Sequence, residues 1–115
     1  WLPQYHDYAL VACYLGACFK EGSLGFMCSP IDFIGSPLLW ANMLDKFEAT
    51  HTGGPSFAYS LLAKRMRAAN KRKLINTNVM ATIGGEPVTA KTLEAAEEVG
   101  FQRELCVPSY GMAEA

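Results

Sequence analysis

Four short apolar runs, each stopped by a glycine or proline turn and separated by stretches of helical periodicity, leave this chain few folds to choose from. The runs cover 24–28, 49–52, 78–83 and 104–107. They are too short to be helices, and their continuous apolar character suits strands buried on both faces. Alternation of such strands with helices predicts an α/β fold: a mostly parallel β-sheet flanked by helices. In sheets of this kind ligands bind at the carboxyl ends of the strands. Here those ends are expected at Ser29-Pro30, Gly53-Gly54-Pro55, Gly84-Gly85-Glu86-Pro87 and Tyr110-Gly111, so these turns should meet at one edge.

The helical stretches carry their own start and stop signals. Asp7 is placed to cap a helix reaching to about Lys20, with Leu10, Val11, Tyr14, Leu15 and Cys18 at helical spacing. Ser36-Pro37 reads as a cap followed by proline in the first turn. The helix after it gathers Leu38, Trp40, Met43, Leu44 and Phe47 mostly on one face. A further helix spans about 56–69, and a polar link, expected at the surface, covers 70–77. Thr89 caps the last helix, which stops near Gly100.

Composition narrows the function. Half of the 115 residues are hydrophobic, which implies a packed core. A net charge of −1 gives no electrostatic footprint for nucleic acid or an anionic membrane surface, so neither is an expected partner. The longest apolar stretch, 8–19, is too short to span a bilayer and lacks the basic leader of a signal peptide. Cys13, Cys18, Cys28 and Cys106 match neither a zinc knuckle nor a redox pair. They are expected as buried free thiols in a reducing, cytoplasmic setting. Both ends read as cut inside motifs, so the chain is expected to be part of one domain of a longer protein.

Several groups can carry chemistry. Gly84-Gly85 lets a backbone approach a flat ligand closely, or simply makes a tight strand-to-helix turn. In Tyr110-Gly111-Met112-Ala113-Glu114 the tyrosine can stack on a base, the small residue can admit a phosphate, and the carboxylate can hold magnesium. The alternative is an ordinary loop with a core tyrosine. His6, just before a helix start, either meets an anionic group or serves as a structural neighbour of the cap. His51 is read as structural. Lys64, Arg65, Arg67, Lys71, Arg72 and Lys73 are read as a solvated helix end rather than a binding patch. No zinc-type ligand spacing, nucleophile triad or GxxxxGK[ST] loop is present.

Taken in order, these segments resemble the fatty acyl-AMP ligases of the adenylate-forming superfamily. Trp1-Leu2-Pro3-Gln4-Tyr5-His6-Asp7-Tyr8-Ala9-Leu10 is similar to the family's WLPxYHDMGL. Ser29-Pro30-Ile31-Asp32-Phe33-Ile34 resembles its SPxxFL, and the stretch from Ala49 through Gly53-Gly54-Pro55 to Tyr59 resembles ATxxGGPNFAY. Gly84-Gly85-Glu86-Pro87-Val88 is close to GAEPV, and Tyr110-Gly111-Met112-Ala113-Glu114-Ala115 to YGLAEA.

The resemblance implies part of the large N-terminal AMP-binding domain, with ATP and Mg²⁺ as cofactors and a fatty acid as substrate. Tyr110 would stack on adenine, with Gly111, Met112 and Ala113 continuing that loop and Ala113 beside the α-phosphate. Gly84, Gly85, Glu86 and Pro87 would line the adenine and ribose, largely by backbone. His6 would lie near the phosphate and acyl carboxylate, and Glu114 would hold Mg²⁺. Gly53, Gly54 and Phe57 would border the acyl tunnel. The chain departs from the pattern at Tyr8-Ala9, which stands where the family has Met-Gly and puts the width of that tunnel in question. The implied reaction makes acyl-adenylate and pyrophosphate, followed by transfer to the phosphopantetheine of an acyl carrier protein. An acyl-CoA synthetase, using coenzyme A, and a non-catalytic adenylation-like domain are the alternatives. The family's phosphate loop would precede Trp1, and its ribose-binding aspartate and C-terminal lysine would follow Ala115. The 115 residues alone are therefore expected to be inactive.

Overall fold

The computed structural model describes residues 1–3 and 5–111, the side chain of residue 12 excepted. Three strands, β1 (His51–Gly54), β2 (Met80–Ile83) and β3 (Cys106–Pro108), form one parallel sheet in the order β1-β2-β3. Gly54 is level with Ile83, and Ile83 with Pro108, so the carboxyl ends of all three strands finish together. Helix α4 (Ser56–Ala68) connects β1 to β2. Helix α5 (Ala90–Val99) and a 3₁₀ turn (Arg103–Leu105) connect β2 to β3. The α/β expectation holds.

The core forms where these connections pack on the sheet. Tyr59, Leu62, Val79, Ile83 and Val99 are fully buried, as is Phe33 of α2 (Pro30–Gly35). Trp40 of α3 (Leu38–Lys46) meets the Tyr59 ring edge-on at 5.1 Å, and Tyr59 meets Phe101 at 5.5 Å. Edge-to-face pairs at these distances add about 0.5–1.5 kcal/mol each beyond area burial. Trp40 Nε1 donates to Thr52 Oγ1 at 2.8 Å, so the indole contributes packing without an orphaned donor. Of the residues expected on one face of α3, Trp40 and Leu44 are buried and Ala41 joins them, while Phe47 lies at the rim.

Three local expectations are corrected. The run 24–28 is not a strand. Leu24, Phe26 and Met27 are exposed, and Phe26 stacks instead on Phe47 at 4.1 Å. A strand needs a ladder partner for its backbone groups, and the run pairs with none of the three described strands. Second, the Ser-Pro start signal operates one motif earlier than expected. Ser29 Oγ accepts from the Asp32 amide at 3.1 Å with Pro30 in the first turn of α2, whereas Ser36 makes no side-chain cap. Ser29-Pro30 therefore opens a helix rather than closing a strand.

Third, the first helix (α1) is wound as a π-helix over Tyr8–Leu15 and becomes α-helical only over Gly16–Phe19. Gly16 N–H reaches back five residues to the Val11 carbonyl. The wider turn breaks the stacking of residues four apart. Leu10, Val11 and Leu15 are exposed, whereas Ala9 is buried. The cysteines also differ from expectation. All four are free, but Cys13 and Cys18 are exposed and Cys28 and Cys106 half-buried. Among the described residues no helix is long and apolar enough to cross a membrane.

The link 70–77 lies largely at the surface, as expected, and is pinned at three places. Asp45 Oδ1 accepts from the amides of Ile75 and Asn76, and Asn76 Nδ2 donates to the carbonyls of Leu44 and Ala49. Leu74 N–H donates to Val99 O at 2.9 Å, against the end of α5. Gly100 closes that helix at φ +122°, and a Cβ there would stand 2.8 Å from the Leu74 amide nitrogen. At the other end Thr89 and Thr92 form a reciprocal capping box. Gly100→Ala combines backbone strain with a main-chain clash and is expected to cost about 3 kcal/mol. Thr89→Ala loses only a cap, at about 1 kcal/mol. Denaturant unfolding of the two variants in the parent protein checks the order.

Candidate functional site

The turns after β1, β2 and β3 share one edge of the sheet. Gly84 N–H donates to Gly54 O at 3.3 Å, and Ser109 N–H donates to Ile83 O at 2.8 Å. Ser109 sits so close to Gly84 that any Cβ there would strike its hydroxyl. Gly84 is glycine because the third strand's turn packs on it. Gly85 is glycine for a different reason: φ is +80°, and open space lies where its side chain would be. A bare backbone facing open space leaves room for a flat ring to approach, and the ring of Tyr110, one residue past Ser109, is exposed.

The second turn is tied at its far end to the start of α4 by two bonds. Glu86 Oε1 accepts from Phe57 N–H at 2.6 Å, and Ser56 Oγ donates to Pro87 O at 3.0 Å. The Glu86 carboxylate thus satisfies a free amide at the start of α4, where the helix dipole favours negative charge. The Glu86 side chain is thus engaged at α4, which leaves the main chain of this turn as its exposed feature. It also joins the Gly84–Pro87 turn to Phe57, which is half-exposed.

Gly53 and Gly54 are close-approach positions. A Cβ on Gly54 would meet the Trp1 ring at 3.2 Å and the Trp40 ring at 3.4 Å, while Trp1 itself stacks on Phe33 at 3.8 Å. A Cβ on Gly53 would meet Thr82 Oγ1 at 2.5 Å and the Tyr8 hydroxyl at 2.8 Å. Tyr8 and Thr82 are bonded to each other at 2.7 Å, and Thr82 Oγ1 donates to Thr52 O at 3.3 Å. Tyr59 O–H donates to Thr82 O at 2.9 Å, and burial pushes its phenol well above the usual range, so it stays a neutral donor. The hydroxyl pair escaped sequence reasoning because the partners are 74 residues apart. The double glycine was the one available sign that something lies across β1.

His6 is exposed, and its Nδ1 accepts from the Tyr8 amide at 3.2 Å. The imidazole therefore caps the first helix, and Asp7, expected in that role, makes no side-chain cap. That bond needs a lone pair on Nδ1, whereas a carboxylate contact at the same nitrogen needs a proton there, so the two compete. Asp7 Oδ1 also lies 3.0 Å from this nitrogen, a contact that becomes an ion pair only in the doubly protonated ring. The segment carrying His6 is held to the sheet through Tyr8 and Thr82. His51 lies at the opposite end of β1 from the glycines, bonded to Thr50 Oγ1 at 2.9 Å, consistent with a structural histidine. Met112, Ala113 and Glu114 lie outside the described residues. Among the described residues no group of three or more His, Cys, Asp or Glu side chains is arranged to hold a metal ion.

Glu86→Gln keeps the side chain's length and removes its charge. The capping bond should weaken, with a stability loss of about 1 kcal/mol. ATP affinity should change less than about threefold if nucleotide meets only the backbone of this turn. Calorimetric titration of ATP alongside a thermal melt separates the two effects.

The whole chain, residues 1–115, matches the model of the AMP-binding enzyme family. It is 34% identical over its full length to the medium-chain-fatty-acid–[acyl-carrier-protein] ligase JamA of Moorena producens, covering 20% of that protein. To TtuA of Teredinibacter turnerae, a ligase of the same description, it is 38% identical over its full length, covering 18% of that protein. Among solved structures it superposes with a TM-score of 0.88 on a fatty acyl-adenylate ligase of Legionella pneumophila. That match is at 38% identity and covers 99% of this chain and 21% of that one. The chain thus spans about a fifth of the length of the relatives it matches. The parallel three-stranded sheet with its flanking helices is accordingly part of the N-terminal domain of an adenylate-forming enzyme. The chain belongs to the AMP-binding enzyme family, and within it is similar to the fatty acyl-AMP ligases.

Proposed function

We propose that the parent protein activates a fatty acid with ATP and passes the acyl group to the phosphopantetheine thiol of an acyl carrier protein. The observation that carries this reading is the shared edge at which Gly54, Gly84 and Ser109 come together, since the Gly53-Gly54 and Gly84-Gly85 motifs similar to the family's both lie on it. The names of JamA and TtuA, which describe ligation of medium-chain fatty acids to carrier proteins, support the acceptor. The activity is proposed for the parent protein, since the chain spans about a fifth of the length of these relatives.

In this reading Tyr110 stacks on the adenine, and the Gly84-Gly85 backbone meets its other side. The ribose side is lined by the main chain of Glu86 and Pro87, and Gly111, Met112 and Ala113 lead the chain past the α-phosphate. His6 offers its Nε2 proton to an anionic oxygen of the phosphate or the carboxylate. Gly53, Gly54 and Phe57 border the acyl chain. The fatty carboxylate attacks the α-phosphorus and pyrophosphate leaves, which is mainly a task of positioning and charge stabilisation. Magnesium, when bound, supplies positive charge to the phosphate oxygens, and the Glu114 carboxylate is the hard oxygen donor that such an ion prefers.

Two outcomes check this reading in the parent protein. Glu114→Gln conserves the side chain's size and should leave the melting temperature nearly unchanged, a stability shift within about 0.5 kcal/mol. Pyrophosphate release with a fatty acid should fall about a hundredfold, or about 2.7 kcal/mol. For the acceptor, acyl transfer from preformed acyl-adenylate should proceed onto a phosphopantetheinylated carrier protein and not onto free coenzyme A. The reverse preference would make the protein an acyl-CoA synthetase. Absence of adenylate with every fatty acid tried would leave a non-catalytic binding domain.

A further inference from the structure

The space over Gly53 is occupied by this chain's own side chain. The Tyr8 hydroxyl stands 2.8 Å from the position a Cβ on Gly53 would take. It is also anchored there. Thr82 has a single hydroxyl proton, which goes to the Thr52 carbonyl at 3.3 Å, so in the 2.7 Å bond between Tyr8 and Thr82 the phenol is the donor. The Thr82 main chain is held in turn by the ladder between β1 and β2 and by the buried Tyr59 hydroxyl. Tyr8 is therefore fixed at its Cα by the first helix and at its tip by the sheet. A rigid ring held at both ends cannot swing aside as an unbranched, untethered side chain would.

We propose that Tyr8 is a specificity-determining residue that closes the acyl site over Gly53, so that the protein activates medium-chain fatty acids and excludes long ones. The proposal rests on the reading of Gly53 as a neighbour of the acyl chain given under the proposed function. Its own content is the tethered phenol, which stands at a position where the family pattern carries methionine. A chain long enough to pass Gly53 would have to displace the ring and break its hydrogen bond to Thr82. A shorter chain would end against the ring and bury its terminal methyl there.

The test compares kcat/KM for adenylate formation with octanoate and with palmitate in the parent protein, for the wild type, Tyr8→Met and Tyr8→Leu. The ratio for the two acids is independent of the fraction of enzyme that is active, so partial misfolding does not move it. The wild type should favour octanoate. Each variant should shift the ratio toward palmitate by at least about tenfold, the smallest discrimination that one methylene typically gives in an apolar pocket. Two substitutions of different shape are used so that a folding failure in one leaves the other to decide. A wild type that prefers palmitate overturns the proposal whatever the variants do. Active variants with an unshifted ratio overturn it as well, while leaving the adenylation reading intact. A wild type that forms no adenylate with any acid removes the adenylation reading and this proposal together.

Discussion

The buried side chain of Tyr59 is the joint on which the described structure depends. Its hydroxyl donates to the Thr82 carbonyl at 2.9 Å, and its ring packs between Trp40 and Phe101. One residue of α4 thereby links α3, the middle strand and the segment after α5. Burial keeps the phenol neutral, so the link is a hydrogen bond without a desolvated charge. The main-chain carbonyl it binds belongs to the residue whose side chain anchors Tyr8. Core packing and the geometry above β1 are therefore mechanically one system.

Glycine marks the places where this system is tightest, for two distinct reasons. At Gly53, Gly54 and Gly84 other residues fill the room a side chain would need. At Gly85 the room is empty and the backbone takes a φ of +80°. The first kind of glycine holds the strand ends together, and the second leaves a bare stretch of backbone open to approach. Close approach and open approach alternate along one sheet edge, which is what a site for an extended ligand with a flat head requires.

Much of this was legible in the sequence, and the failures have identifiable causes. The turns at Gly53-Gly54-Pro55 and Gly84-Gly85-Glu86-Pro87 and the cap at Thr89 were readable because glycine, proline and threonine act on their own backbone. The run 24–28 misled because an apolar run says nothing about whether a neighbouring strand is available. The first helix misled because hydrophobic spacing assumes an α turn, and Tyr8–Leu15 is wound more widely. The link 70–77 lies largely at the surface as expected, but its pinning was not legible, because it depends on the Asn76 side chain reaching the carbonyls of Leu44 and Ala49 and on main-chain amides reaching Asp45.

The sequence by itself determined the class of fold, the parallel sheet and the order of turns along its edge, since each follows from rules acting within a few residues. It also placed Gly53, Gly84, Gly85 and Tyr110 among the candidates. Only the tertiary structure decided what stands over Gly53, which of the Ser-Pro pairs starts its helix with a side-chain cap, and that Glu86 is engaged at the head of α4. These depend on pairs 74 and 29 residues apart, or on a competing partner nearby. Local propensity carries no information about such pairs, because their energy arises only after the strands have brought the two groups within hydrogen-bonding distance.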